Sequence, residues 1–176
     1  LDELMAPVLA LERYTDATGD RSLLEEGDVK KGVRSVLEKL AQRRHPDLAL
    51  YSTFLQPTDD ERVYPYLTYD NVLVWRALRA LARLYPEHGG AAAVREAIRT
   101  HCVKTRDQKP YYAWSVDLEG HWDVYDEPPG SLLLLPWLGF CEQDDETWHN
   151  TVGMICAPEY AYSFAGHPIP MIGCPH

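Results

Sequence analysis

Apolar residues recur at helical spacing from the start of the chain. Leu4, Val8, Leu11 and Tyr14, with Leu9 and Ala10 beside them, predict a helix over 4–18. Gly19 follows where a left-handed C-cap is needed. Val29, Val33, Val36, Leu37 and Leu40 repeat the spacing and predict a second helix over 28–44, stopped by Pro46, which pushes the residue before it out of helical geometry. The period then disappears over 47–68, a stretch holding Tyr51, Phe54, Tyr64, Tyr66, Pro57, Pro65 and the acidic run Asp59-Asp60-Glu61. Long irregular connections are uncommon in compact domains and tend to carry function. A third helix is predicted over 69–84, where Val72, Trp75, Ala77, Leu78, Leu81 and Ala82 form a broad apolar face that runs on to Tyr85. The stretch 86–90 breaks it, and a fourth helix follows over 91–104.

The period changes again over 111–126. Alternation through Tyr112, Trp114 and Val116, then Trp122 and Val124, predicts a β-hairpin turning at Leu118-Glu119-Gly120. Two more helices are expected, over 131–140 with Ser131 as N-cap, and over 144–156. Asp144, Asp145 and Glu146 crowd the first turn of the latter, where the helix dipole favours negative charge.

The elements pair into helical hairpins with acidic and aromatic residues on their connections. A superhelical array and a closed ring both fit such pairing, but an array repeats its sequence at a fixed period, and no such repeat is visible. The expected fold is therefore all-α, part of an (α/α)6 toroid with a small β-hairpin on a loop, in which residues 1–176 make one domain.

Composition narrows the partners. With 176 residues and 45% hydrophobic content, the chain buries one core and is short for two domains. A formal net charge of -10 argues against nucleic acid and anionic membrane surfaces, which reward basic patches. No apolar run exceeds four residues, 132–135 among them, far from the ~18 residues of a membrane span. Cys102, Cys141, Cys156 and Cys174 form no CxxC pair and read as free, mostly buried thiols of a reducing compartment, so a cytoplasmic protein is expected. The histidines make no HxxxH or HExxH cluster; His45, His88 and His101 fall near helix ends, and neither a metal nor another cofactor is expected.

Three loop clusters could carry chemistry. Thr58-Asp59-Asp60-Glu61 is followed at once by Tyr64-Pro65-Tyr66, and Trp122-Asp123-Val124-Tyr125-Asp126-Glu127 precedes Pro128-Pro129-Gly130. Glu159-Tyr160-Ala161-Tyr162-Ser163-Phe164 is mostly aromatic. Hydrolysis of a glycosidic bond needs two carboxyl groups flanking it, and sugar faces stack on aromatic rings. Adjacent aspartates also cap helices and satisfy loop amides, so the clusters alone suggest a carbohydrate cleft without establishing one.

The run Gln56-Pro57-Thr58-Asp59-Asp60-Glu61-Arg62-Val63-Tyr64-Pro65-Tyr66-Leu67, with Asn71 after it, resembles the R-P-S-D-D-A-x-x-Y-P-Y-L…N segment of glycoside hydrolase family 125. Ser131-Leu132-Leu133 through Leu135-Pro136-Trp137-Leu138-Gly139 is similar to that family's S-L-L-x-L-P-Y-L-G. Asn150-Thr151, Tyr160-Ala161-Tyr162-Ser163-Phe164-Ala165-Gly166 and Ile172-Gly173-Cys174-Pro175-His176 resemble its N-T…P-Y-Y-F-x-G…G-I-G-S-P-H. The matches are in order and reach from about Tyr51 to the last residue.

That family contains metal-independent, exo-acting α-1,6-mannosidases, so the resemblance implies a toroid, a glycan substrate and an inverting mechanism. In such a mechanism an acid protonates the leaving oxygen while a base ~6.5–9.5 Å away activates water. The family's acid lies in its D-D motif, which carries over to Asp59 or Asp60. Its base is a glutamate downstream of the G-S-P-H segment, so the chain is expected to represent about half of the ring and to be inactive alone. Asp126 and Glu127 are expected to meet substrate hydroxyls, with Tyr64, Trp122, Tyr125 and His176 lining the subsite.

Two departures bear on specificity: Gln56 stands where the family has arginine, and Tyr125-Asp126-Glu127-Pro128-Pro129-Gly130 replaces D-D-A-N-V-P. The alternative reading is a non-catalytic toroid that binds a glycan or serves as scaffold; a sugar lyase or isomerase is a third.

Overall fold

A charge sets the position of the first helix. The computed structural model describes residues 1–128 and 130–174. In it α1, Asp2–Thr18, buries Met5, Val8, Glu12 and Thr15, where the sequence pattern put Leu4, Val8, Leu11 and Tyr14 inside. Leu4 and Leu11 are half-buried and Tyr14 is exposed. The Glu12 carboxylate is the reason. It pairs with Arg76, and with Arg83 Nη1 at 2.7 Å, both on the neighbouring helix, so α1 turns to bring it inward. Gly19 ends α1 in the left-handed conformation, with φ 70°.

The second helix, α2 (Gly27–Ala41), lies beside α1 and buries Val33 and Leu40. The third, α3 (Thr68–Leu84), is the centre of the core: Val72, Val74, Ala80 and Leu81 are inaccessible or nearly so, with α1 on one flank and α4 (Ala91–His101) on another. The last, α5 (Glu146–Ile155), starts where Asp145 Oδ1 accepts a hydrogen bond from Trp148 N at 2.9 Å, which gives one of the crowded acids a capping role.

Two expectations are corrected. No α-helix forms over 131–140. Ser131 does cap a turn, accepting from Leu133 N at 3.1 Å, but only a 3-10 turn, Leu132–Leu134, follows. Pro136 offers no N–H to extend it, and Gly139 leaves helical geometry at φ 74°. The fourth helix also stops early, because 103–104 belong to a strand.

There is more β-structure than one hairpin. β2 (Val103–Arg106) pairs antiparallel with β3 (Lys109–Tyr112) around Asp107 and Gln108, whose φ values of 51° and 63° are those of a tight hairpin turn. β1 (Tyr66–Leu67), β4 (Ser115–Val116) and β5 (Trp122–Asp123) form a second antiparallel sheet, β4 in the middle, with Tyr66 opposite Val116 and Ser115 opposite Asp123. The hairpin expected at Leu118-Glu119-Gly120 is β4–β5, while Tyr112 falls to β3. This second sheet positions the candidate site, since β1 ends the irregular stretch at 47–68 and β4–β5 opens the second acidic cluster.

Buried polar groups fix the stretch to the core. Asn71 on α3 accepts from Tyr51 N at 2.8 Å and donates to Tyr51 O at 3.0 Å and Leu67 O at 2.8 Å. Thr68 Oγ1 donates to Ala113 O at 2.6 Å. On the far side Thr151 of α5 accepts from Tyr112 N at 2.9 Å. Asn71 and Thr151, both inside the motif matches, are thus structural posts.

Candidate active site

The loop carrying Asp59 and Asp60 is a three-residue hairpin turn. Asp59 N donates to Gln56 O at 3.0 Å, and Gln56 N donates to Asp60 O at 2.9 Å. Pro57 brings its fixed φ to the first corner, and Asp59 takes the left-handed position at φ 64°, which aspartate tolerates better than most residues. The two acids part company here: Asp59 is exposed, and Asp60 is half-buried and turned toward the second cluster.

Thr58 joins the clusters. Its Oγ1 lies 3.0 Å from Asp60 Oδ2 and 3.0 Å from Glu127 Oε2, and Glu127 is fully buried. A hydroxyl has one proton to give, so it donates to one of these carboxyl groups at a time. Gln56 Nε2 donates to Glu127 Oε1 at 3.3 Å and to Glu61 O at 3.4 Å, while Gln56 Oε1 accepts from Trp114 Nε1 at 2.7 Å and from the Tyr125 hydroxyl. Every polar valence of this buried amide is used. The Trp114 and Tyr125 rings lie 5.1 Å apart at 32°, an aromatic wall beside the carboxyl groups. Burial, then the charges of Asp123 and Glu127, raise the Tyr125 phenol far above its ordinary value, so it stays a donor.

Asp126 faces away from this network. Its Oδ2 accepts from Ser131 Oγ at 2.6 Å and its Oδ1 from Leu132 N at 2.7 Å, so the carboxylate anchors the turn that follows. Burial raises its pKa, and those two hydrogen bonds oppose the shift. Asp126 N donates to the Tyr160 hydroxyl oxygen at 2.8 Å, fixing the backbone from the other side. Tyr64 stacks on His121 with centroids 6.3 Å apart, and Trp122 is half-buried in β5 opposite Val116. His176 lies outside the described residues.

Of the residues expected to form the site, Asp60, Tyr125 and Glu127 therefore meet in one network, organised by Gln56, Thr58 and Trp114. Asp59 sits at its edge. The organising three carry no charge: Gln56 stood out only as a departure from the family's arginine, Thr58 only as the residue before the acidic pair, and Trp114 only as a strand position. Asp123 was named in the second acidic cluster but given no role in the site. Its Oδ1 accepts from Ser115 N at 2.8 Å and Ser115 Oγ at 2.7 Å, and burial raises its pKa. Among the described residues no group of three metal-ligating side chains converges. Glu127 and Trp114 are inaccessible, so the arrangement presents the half-buried Tyr125 ring for sugar C–H groups and the half-buried Asp60 as an acid able to move a proton.

Comparison with known proteins identifies the family. The chain is 32% identical over 153 residues to the meiotically up-regulated gene 157 protein of Schizosaccharomyces pombe, an alignment covering 78% of the chain and 30% of that protein. Its fold matches a Streptococcus pneumoniae metal-independent α-mannosidase, solved in a non-productive complex with α-1,6-mannobiose, with a TM-score of 0.81 at 21% identity. That match covers 98% of the chain and 50% of the solved structure, so the chain spans half or less of the relatives it matches. The profile of the metal-independent α-mannosidases, glycoside hydrolase family 125, matches residues 41–176, and the chain belongs to that family.

Proposed function

We propose that residues 1–176 form about half of the (α/α)6 catalytic toroid of an inverting, exo-acting α-mannosidase, with Asp60 as its general acid. The observation that carries this reading is the convergence of Asp60 and Glu127 on the Thr58 hydroxyl, 3.0 Å from each. Family membership supplies the reaction class. In this reading Asp60 protonates the departing glycosidic oxygen. A carboxylate from another part of the protein activates water on the opposite face of the sugar, because inversion needs room for that water between the two groups. Glu127, inaccessible to solvent, positions Asp60 through Thr58, and the half-buried Tyr125 ring packs against the apolar face of the terminal sugar. Asp59 holds the turn in its left-handed geometry and leaves the proton to its neighbour.

Asp60→Asn and Asp59→Asn in the full-length protein separate these roles. With an aryl α-mannoside, Asp60→Asn is expected to lower kcat/KM by about 10²–10⁴, and Asp59→Asn by much less. If both variants hydrolyse the mannoside and a wider panel of glycosides at the wild-type rate, the assignment fails. If wild-type protein hydrolyses none of them but binds mannose oligosaccharides, the fold serves as a glycan binder.

A further inference from the structure

The buried face of α1 is Met5, Val8, Glu12 and Thr15, and the helix carries a second apolar stripe beside it. Pro7, Ala10, Leu11 and Tyr14 stand at i, i+3, i+4 and i+7, about a third of a turn round from the buried face. Leu11 and Tyr14 are residues that the sequence pattern places in the core. On α2 the same spacing recurs in Val29, Gly32, Val33 and Val36. The two stripes form the walls of one groove of about 480 Å³.

The lining selects the occupant. No charged side chain contributes to it among the described residues, and the Tyr14 phenol already donates to Asp20 Oδ2 at 3.2 Å. A sugar or a phosphate gains almost nothing there, whereas an apolar face removes the whole lining from water. Each wall also holds a small residue within its stripe: Ala10 is exposed, and a Cβ on Gly32 would meet nothing within 4 Å. That leaves room for the side-chain ridge of a helix laid along the groove.

Two observations choose the helix. The solved relative and the Schizosaccharomyces pombe protein each carry at least as much chain again outside the matched part. Within residues 1–176, α3 flanks the α1–α2 pair on one side, and in a ring of helical hairpins a pair has a neighbour on each side. A second copy of the chain fits less well. A groove between two helices is small beside the roughly 20–30 residues a side of a stable dimer, and a helix tethered in the same chain needs no such area.

We infer that the α1–α2 groove is an internal seam of the ring and receives an apolar helix of the same protein from outside residues 1–176. The inference rests on the reading of residues 1–176 as part of a helical toroid, and not on the assignment of Asp60. It makes Leu11 and Tyr14 core residues of the whole protein.

The test uses the full-length protein. Gly32→Leu removes a glycine from a helix interior, so in an open groove it leaves the melting temperature unchanged or raises it by about 1–4 °C. Against a docked helix the leucine collides, and the melting temperature should fall by about 2–10 °C. Ala10→Cys adds no bulk and keeps the test open if the leucine variant does not fold. Its alkylation by iodoacetamide, read at residue 10 by peptide mass spectrometry, should be more than about tenfold slower in native protein than in urea. A smaller difference, or a Gly32→Leu melting temperature at or above wild type, overturns the inference. Protection that is lost on dilution overturns it too, because a second copy then covers the groove. Hydrolysis of an aryl α-mannoside by wild-type protein tests the catalytic reading separately, so either can fail without the other.

Discussion

Gln56 Nε2 donates to Glu127 Oε1 at 3.3 Å across 71 residues of sequence, and the same side chain accepts from Trp114 and Tyr125. No residue of similar size except glutamine offers both a donor and a double acceptor here. Gln56→Leu strands the indole N–H and the phenol O–H, and a buried donor without a partner costs about 1–3 kcal/mol. Gln56→Glu keeps both acceptor contacts but sets a second carboxylate against Glu127. Denaturant unfolding should therefore rank wild type above Gln56→Glu at neutral pH, with the gap narrowing in acid. Gln56→Leu should lose about 2–4 kcal/mol at every pH. Equal stability of Gln56→Leu and wild type would mean that the amide is not the organising group.

Thr58 separates structure from chemistry. Thr58→Val keeps the β-branched shape and removes the hydroxyl between Asp60 and Glu127, whereas Thr58→Ser keeps the hydroxyl. In the full-length protein Thr58→Val should lower kcat for an aryl α-mannoside by about 10–100-fold, in line with loss of a group that orients a proton donor. Thr58→Ser should recover most of that rate. A variant pair with the same kcat would show that the hydroxyl only packs.

The elements legible in the sequence are those held by local physics. The third helix was placed within one residue, because an unbroken apolar face and a proline after its end define it locally. Gly19 capped α1 and Ser131 capped its turn for the same kind of reason. The inward turn of α1 was not legible, since the pairing of Glu12 with Arg76 and Arg83 depends on α3, more than sixty residues away. Nor was the β2–β3 hairpin, whose Asp107-Gln108 turn lacks the glycine that usually marks positive φ. At the site, the motif match picked out the right loops. It did not show that Asp126 turns to Ser131 and Leu132 while Glu127 turns to Gln56 and Thr58, whose positions depend on contacts about seventy residues apart.

Gly130 is where the two acidic loops touch. A Cβ at that position would stand 2.6 Å from Pro57 Cγ, 3.2 Å from Pro57 Cβ and 3.2 Å from Tyr69 Cδ1. The proline ring cannot swing aside, so Gly130→Ala must push the 56–60 turn away from Glu127. The expected loss of stability is about 1–3 kcal/mol, the range for overpacking a close contact. Activity should fall further than stability, because Thr58 bridges the same two loops. Thermal unfolding of Gly130→Ala beside its kcat for an aryl α-mannoside checks both; wild-type values of each would show that the loops move apart freely.

Asp70 makes stability depend on pH. It sits in the first turn of α3 with 1% exposure, and neither carboxylate oxygen has a hydrogen-bond partner among the described residues. Burial pushes the carboxyl up to about 7, with a smaller push from Asp2. An unfolded aspartate titrates near 3.9. Between about pH 4 and 7 the folded chain thus keeps a proton that the unfolded chain has released, so stability falls as pH rises through that window and levels off above it. Asp70→Asn removes the titration while staying neutral and nearly isosteric. Urea unfolding at about pH 5 and pH 8 should show the variant gaining on wild type as pH rises. A wild-type protein that instead gains on Asp70→Asn toward pH 8 would place a charged, compensated carboxylate in that pocket.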